Sequence, residues 1–155
     1  MPDFELIDVR EIPYLYVTRS CRMDPDTIAR EMNSAFVDVL SFMQRLGIKQ
    51  VGPPLSVYNS FDPELLTFRS GFMVLREDLA RADGEVKAAK TPAGTVLHFR
   101  HEGSYKALRD DYARMLEHVA RLGRQIDAPT WEVFLNNPDQ VPEDELLTDV
   151  YSVLA

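Results

Sequence analysis

The tripeptide Arg-Leu-Gly occurs twice, at Arg45–Gly47 and Arg121–Gly123, an offset of 76 residues (121 − 45). A tripeptide recurs by chance, but this one brings its surroundings with it. Backwards, the offset pairs Phe36 with Tyr112 and Leu40 with Leu116. Forwards, it pairs Pro53 with Pro129, Leu55 with Trp131, Val57 with Val133 and Tyr58 with Phe134. A helix end and a strand start that agree in character over about twenty residues read as an internal repeat. The expectation is one domain over residues 1–155, built of two related halves at about 1–80 and 81–155.

Hydrophobic spacing gives each half its elements. Ile28, Met32, Ala35, Phe36, Val39, Leu40 and Met43 recur at three- and four-residue steps, which predicts a helix over Pro25–Leu46. Asp24 suits its N-cap, Pro25 its first position and Gly47 a left-handed stop. Tyr105, Leu108, Tyr112, Met115, Leu116 and Val119 predict a second helix over Tyr105–Leu122, capped by Ser104 and stopped by Gly123. Between and around them, segments rich in β-branched and aromatic residues predict strands. These are Phe4–Val9, Tyr14–Arg19, Leu55–Phe61, Leu65–Leu75, Gly84–Lys90, Thr95–His101, Thr130–Leu135 and Thr148–Leu154. The fold class is α+β: two β-α-β-β modules forming an antiparallel sheet, with both long helices on one face.

The informative residue is the one that breaks the repeat. The offset places Glu132 where the first half has Ser56. A strand alternates sides, so Thr130, Glu132 and Phe134 share one face while Trp131, Val133 and Leu135 share the other. Both faces are bulky and apolar. A carboxylate there is costly unless it is paired, neutralised or set to meet a ligand. An arginine such as Arg69 or Arg100 could supply the pairing.

The segment Thr130–Leu154 resembles the GyrI-like small-molecule-binding family, the AraC-type effector-binding domain. The resemblance rests on Trp131-Glu132-Val133-Phe134, the Asn137-Pro138 loop and Asp149-Val150-Tyr151. It is extended by Gly52-Pro53-Pro54, Pro92-Ala93-Gly94 and His101-Glu102-Gly103-Ser104-Tyr105. It implies a ligand cleft between two pseudo-symmetric modules, with Glu132 as the key acid and Tyr58, Phe134 and Tyr151 as pocket aromatics. Phe68 and Trp131 are further candidates for the cleft wall, although Trp131 is out of phase with Glu132 and suits packing against a helix. Phe134 stands where many members carry Tyr, which removes a hydroxyl. Many members also follow a helix-turn-helix module, and this chain is expected to be a stand-alone member.

Charge narrows the partners. With 17 basic and 25 acidic side chains the formal net charge is −8, which disfavours direct nucleic-acid binding. Arg109, Arg114, Arg121 and Arg124 are interleaved with Asp110, Asp111 and Glu117, as on a solvated helix face. The acidic N-terminus lacks a signal-peptide pattern and no apolar run is long enough for a membrane span, so a cytoplasmic protein without membrane attachment is expected. No cofactor motif is present, and His98, His101 and His118 lack metal-ligand spacing, with the first two directed to opposite faces of a strand. Cys21 has no evident base beside it.

The leading expectation is a module that binds hydrophobic, cationic aromatic molecules as a sensor or sequestering protein, the rings giving cation–π attraction and Glu132 the counter-charge. One alternative is a hydrolase of strained electrophilic toxins with Glu132 as general acid or base, as in some members of the resembled family. Another is an inhibitor of a partner enzyme such as a DNA topoisomerase.

Overall fold

The computed structural model describes residues 2–155; the expected span begins one residue earlier, at Met1, outside the described residues. The strands are β1 (Glu5–Val9), β2 (Pro13–Arg22), β3 (Pro54–Tyr58), β4 (Leu65–Met73), β5 (Lys87–Lys90), β6 (Gly94–Glu102), β7 (Ile126–Phe134) and β8 (Leu147–Leu154). Helix α1 (Pro25–Leu46) follows β2 and helix α2 (Leu108–Arg121) follows β6. All strands join one antiparallel sheet in the order β1-β6-β8-β7-β3-β4-β2-β5. The six inner strands read the same from either end, β6-β8-β7 answering β2-β4-β3, so β2-α1-β3-β4 and β6-α2-β7-β8 meet at the β3–β7 seam. The fold class expected from the repeat is the one observed.

The helix termini follow local chemistry. Asp24 accepts from the Thr27 backbone N–H (3.2 Å) and hydroxyl (2.6 Å), with Pro25 opening α1. Gly47 and Gly123, the two repeat glycines, take left-handed φ values of 68° and 69° just past their helices. Helix α2 starts at Leu108 rather than Tyr105. Residues 104–107 form a tight turn, in which Ala107 N–H donates to both the Ser104 carbonyl and its hydroxyl oxygen. Leu40 and Leu116, expected on the apolar stripes, are exposed. The stripes instead run through Ala35, Val39 and Met43 in α1 and Asp111, Met115 and Val119 in α2, which are equivalent positions at the 76-residue offset.

Strand alternation assigns every sheet residue a side. On one side Leu15, Val17 and Phe72 bury against α1, while Leu97, Phe99 and Val150 bury against α2. The register carries this face through Ser56, Ser70, Glu132 and His101. Both helices therefore cover one face, across two aromatic and aliphatic clusters.

The other face also buries a core, of Tyr14, Tyr16, Leu55, Val57, Met73, Val96, Trp131 and Val133, without a helix over it. The sheet covers this core by curling. Val9 and Pro13 are separated by four Cα steps, at most about 14 Å. Their strands are first and seventh in order, about 29 Å apart in a flat sheet. The curl brings the two margins together, so that Ile7 and Val9 of β1 pack on the same cluster as Ile12 and Ala89 of the far margin. There Ile12 N–H donates to Thr91 Oγ1 (2.9 Å) and Thr91 N–H to the Ile12 carbonyl (3.0 Å), extending the β2–β5 pairing. Among the described residues no helix is long and apolar enough to cross a membrane.

Candidate functional site

Glu132 and Ser56 are not only equivalent in the repeat; they are direct cross-strand partners at the β3–β7 seam. A two-fold axis relating two antiparallel strands passes between a residue and its own counterpart, so Glu132 lies on the pseudo-axis. Its side chain is on the helix-covered face, between α1 and α2, and is 6% exposed. Oε1 accepts from the Tyr58 hydroxyl at 3.0 Å and Oε2 from the Tyr112 hydroxyl at 2.6 Å. Burial raises the Glu132 pKa above the usual carboxylate range, while the two phenols and the charge of His101 partly oppose the rise. Burial, then the neighbouring carboxylate, pushes Tyr58 and Tyr112 well above the ordinary phenol range. Tyr105 is raised by the same two causes.

The carboxylate is thus satisfied by neutral donors and has no cationic side chain bonded to it among the described residues. Both arginines considered as partners lie on the opposite face. Arg69 donates to the Tyr14 hydroxyl (3.3 Å) and sits 4.5 Å from the Tyr16 ring centre. Arg100 makes a two-pronged contact with Asp149, at 2.9 and 3.1 Å.

Aromatic rings close over the acid. Phe134 meets Phe36 edge-to-face (centroids 6.1 Å, 89°) and Tyr105 likewise (5.8 Å, 74°). Phe68 is buried on the same face at 6.3 Å from Tyr58. Of the residues singled out by sequence, Glu132, Tyr58, Phe134 and Phe68 come together. Tyr151 and Trp131 do not join them: they are cross-strand partners on the other face and stack on each other (5.3 Å, 17°). Trp131 therefore packs inside the curl of the sheet rather than against a helix.

Three participants escaped sequence reasoning. Tyr112 was assigned to a helix stripe, yet it carries the shorter of the two bonds to Glu132. His101 and Asp111 form a buried pair, Nδ1 to Oδ2 at 2.5 Å, with Arg114 on the other Asp111 oxygen at 2.6 Å. Asp111 is accordingly part of the interior and not of a solvated helix face. His101 Nε2 donates to the Ser104 carbonyl (2.8 Å), fixing the turn that carries Tyr105 over Phe134. A signal was available: the offset equates Asp111 with Ala35, a second acid where the first half has a small apolar residue. Beside this pair, Thr148 Oγ1 is buried without a hydrogen-bond partner among the described residues, and its cross-strand neighbours are His101 and Phe134.

His98 points to the face opposite His101 and bonds Asp149 (2.9 Å), and His118 packs on Phe4. No three His, Cys, Asp or Glu side chains among the described residues are placed to hold a metal ion. Cys21 is buried, and its thiol is raised by burial and by Glu31. A hollow of about 380 Å³ opens on the curled face and another of about 460 Å³ lies beside α1; neither is lined by Glu132. With 6% of its surface exposed, the acid lies buried beneath its rings.

Fold and site together define a pseudo-symmetric α+β module that keeps one aromatic-ringed carboxylate on its axis. The chain belongs to the family of the GyrI-like small molecule binding domain, whose model matches residues 2–154. No curated protein matches its sequence. Among solved structures it is similar to the EcmrR C-terminal domain, with a TM-score of 0.78 and 14% identity over 100% of this chain and 98% of that one. In the EcmrR–DNA complex the TM-score is 0.80 at 13% identity, covering 99% of this chain but 57% of EcmrR, so the chain spans little more than half of that protein. SAV2435 bound to tetraphenylphosphonium gives 0.68 at 10% identity, covering 99% and 94%. A hydrolase encoded by lin2189 from Listeria innocua gives 0.58 at 19% identity, covering 98% and 91%. At these identities the likeness concerns the fold.

Proposed function

We propose that this chain captures hydrophobic organic cations between α1 and α2, with Glu132 as counter-charge, and serves as a sensor or sequestering module. One observation carries the reading: a buried carboxylate on the pseudo-axis is held by two neutral phenols and no cation. Phenols satisfy its hydrogen bonding without a cation bonded to it, and the charge of His101 compensates it only in part. A cation entering among Phe36, Phe134, Tyr58 and Tyr105 supplies the remaining compensation and gains ring-face attraction. Entry requires the rings over Glu132 to part. Membership of a small-molecule-binding family supports the reading, as does the fold shared with SAV2435, whose structure contains the cation tetraphenylphosphonium.

Calorimetry with tetraphenylphosphonium and neutral triphenylphosphine oxide tests it. Glu132→Gln keeps shape and removes charge, so cation binding should weaken by about 1–3 kcal/mol with little change for the neutral compound. Equal losses for both would make Glu132 a structural group and reject the proposal.

A second reading, hydrolysis of a strained electrophile, gains from the acid and the His101–Asp111 pair facing the same interior. Glu132, with its raised proton affinity, would then act as general acid or base. Product analysis of bound electrophiles separates the two: a compound consumed by the native protein and spared by Glu132→Gln selects the hydrolase.

A further inference from the structure

The hollow on the curled face lies directly behind Glu132. Strand β7 separates them, since Trp131 and Val133 line the hollow while Glu132 between them points the other way. About 380 Å³ falls in the range of roughly 300–1,000 Å³ typical of small-molecule pockets. Its place is equally typical, because the margins of a curled sheet leave a mouth where Val9 and Arg10, at the β1 margin, line the same hollow as Thr91 and Ile12 at the β2–β5 margin. Much of its wall is hydrophobic, with Met73, Val133 and Leu135 around the Trp131–Tyr151 stack.

Charge on this wall is opposite in sense to that at Glu132. The one lining acid, Asp149, is occupied: burial works against its ionisation, but bonds from His98 and Arg100 prevail and hold it at about 2. Its charge is thereby neutralised from outside the hollow. Arg10, the lining cation, is exposed and has no ion pair or hydrogen-bond partner for its guanidinium among the described residues. The Thr91 hydroxyl accepts from Ile12 N–H and keeps its own hydrogen to donate. A wall that is apolar in its body, with a free guanidinium and a hydroxyl donor at its rim, matches a planar anion on a hydrophobic tail.

We infer that this mouth is a second ligand site, distinct from the one at Glu132, and that it takes small hydrophobic carboxylates. The tail lies along Met73, Val133 and the Trp131–Tyr151 stack, and the carboxylate meets Arg10 and Thr91. The inference does not depend on the function proposed for Glu132, because the two sites lie on opposite faces of the sheet and select opposite charge.

Trp131 is the sole tryptophan, so its emission reports this wall without labelling. The full chain is titrated with octanoate, octanol and octylammonium, followed by Trp131 emission and calorimetry. Octanoate should saturate and alter the emission, with octanol and octylammonium weaker by about tenfold or more. Arg10→Met should bring octanoate to the level of octanol, while Glu132→Gln should leave octanoate binding unchanged. Leu135→Trp, which fills the hollow and spares Arg10, should abolish binding; its emission contains two indoles, so calorimetry is the readout there. Equal affinity for octanoate and octanol in the native protein, or octanoate binding indifferent to both Arg10→Met and Leu135→Trp, overturns the assignment. Loss of octanoate binding in Glu132→Gln overturns it as well, by placing the anion on the wrong face.

Discussion

Replacing Glu132 by Gln should make the ligand-free protein more stable at neutral pH, because its charge is retained at a net cost. Two phenolic bonds to an ionised group are worth about 1.5–3 kcal/mol each. Against them stands removal of the carboxylate from water, several kcal/mol even after relaxation. The sums nearly cancel, and the direction of the Glu132 pKa decides the sign: burial is the largest influence and the pKa is raised, so the cost exceeds the gain. The surplus is a fraction of either total, on the order of 1–2 kcal/mol, or about 2–8 °C in Tm for a chain of this size. Its pH dependence is distinctive. Below the unfolded value near 4.5 the carboxyl is protonated in both states and costs nothing as a charge. Above it, the folded state holds the proton that the unfolded state releases, so native stability falls as pH rises until the raised folded pKa is passed. Gln does not titrate. The gap between Glu132→Gln and the native protein should open upward from pH 4.5 and then level off, with all other groups cancelling in the difference. Thermal melts of both proteins from pH 4 to 8 measure it. A native protein that is the more stable one at pH 7, or a gap that narrows as pH rises, would refute the claim that an incompletely compensated charge is stored here.

Other perturbations follow from single contacts. Tyr112→Phe removes the 2.6 Å bond to Glu132 and should destabilise the protein by about 1–3 kcal/mol at neutral pH in denaturant unfolding; an unchanged midpoint would mean water replaces the phenol. Gly47→Ala and Gly123→Ala each force a side chain into φ near +68° to +69°, costing about 1–2 kcal/mol apiece and adding when combined, since they end different helices. Asp149, held at about 2 against an ordinary 3.8, contributes stability that is complete above pH 3.8 and lost as pH falls toward 2; Asp149→Asn should remove that part of the acid limb, by about 1–2 kcal/mol after allowing for the exposure of Arg100.

The parts of this fold that were legible in the sequence are those fixed by local chemistry and by period. Asp24-Pro25 and Gly47 mark α1 because a carboxylate cap, a prolyl first turn and a left-handed stop each act within a few residues. Alternation along β7 assigns Glu132 its face, but its separation from Arg69 and Arg100, both offered as partners from sequence, appears only once the register across the sheet is known. The remainder depends on long-range geometry. Ser104 and Tyr105 look like the start of a helix, but His101 holds the Ser104 carbonyl, so the turn stays open until Leu108. Tyr151 was placed beside Glu132 although the two belong to opposite faces, because the register between β7 and β8 cannot be read from either strand alone. The hollow at the mouth was invisible for the same reason: it exists only because the short Val9–Pro13 link makes the sheet curl.

The repeat also accounts for why the acid is where it is. Four ring positions surround the pseudo-axis as two equivalent pairs, Phe36 with Tyr112 and Tyr58 with Phe134. In a fully symmetric version both members of a pair would be alike. Here each pair has one phenol and one phenyl, and the two phenols are the two that bond Glu132. The two phenyls, Phe36 and Phe134, instead meet each other edge-to-face as cover. Ser56, the counterpart of Glu132, turns away to bond Ser70 at 2.7 Å. The two modules are unlike at their shared centre, where a single axial position cannot serve both halves alike. An acid on that axis can be reached by donors from both modules at once, one through β3 and one through α2, without either helix supplying a cation. That arrangement satisfies the carboxylate's hydrogen bonds without a bonded cation, which is the feature the proposed cation site rests on.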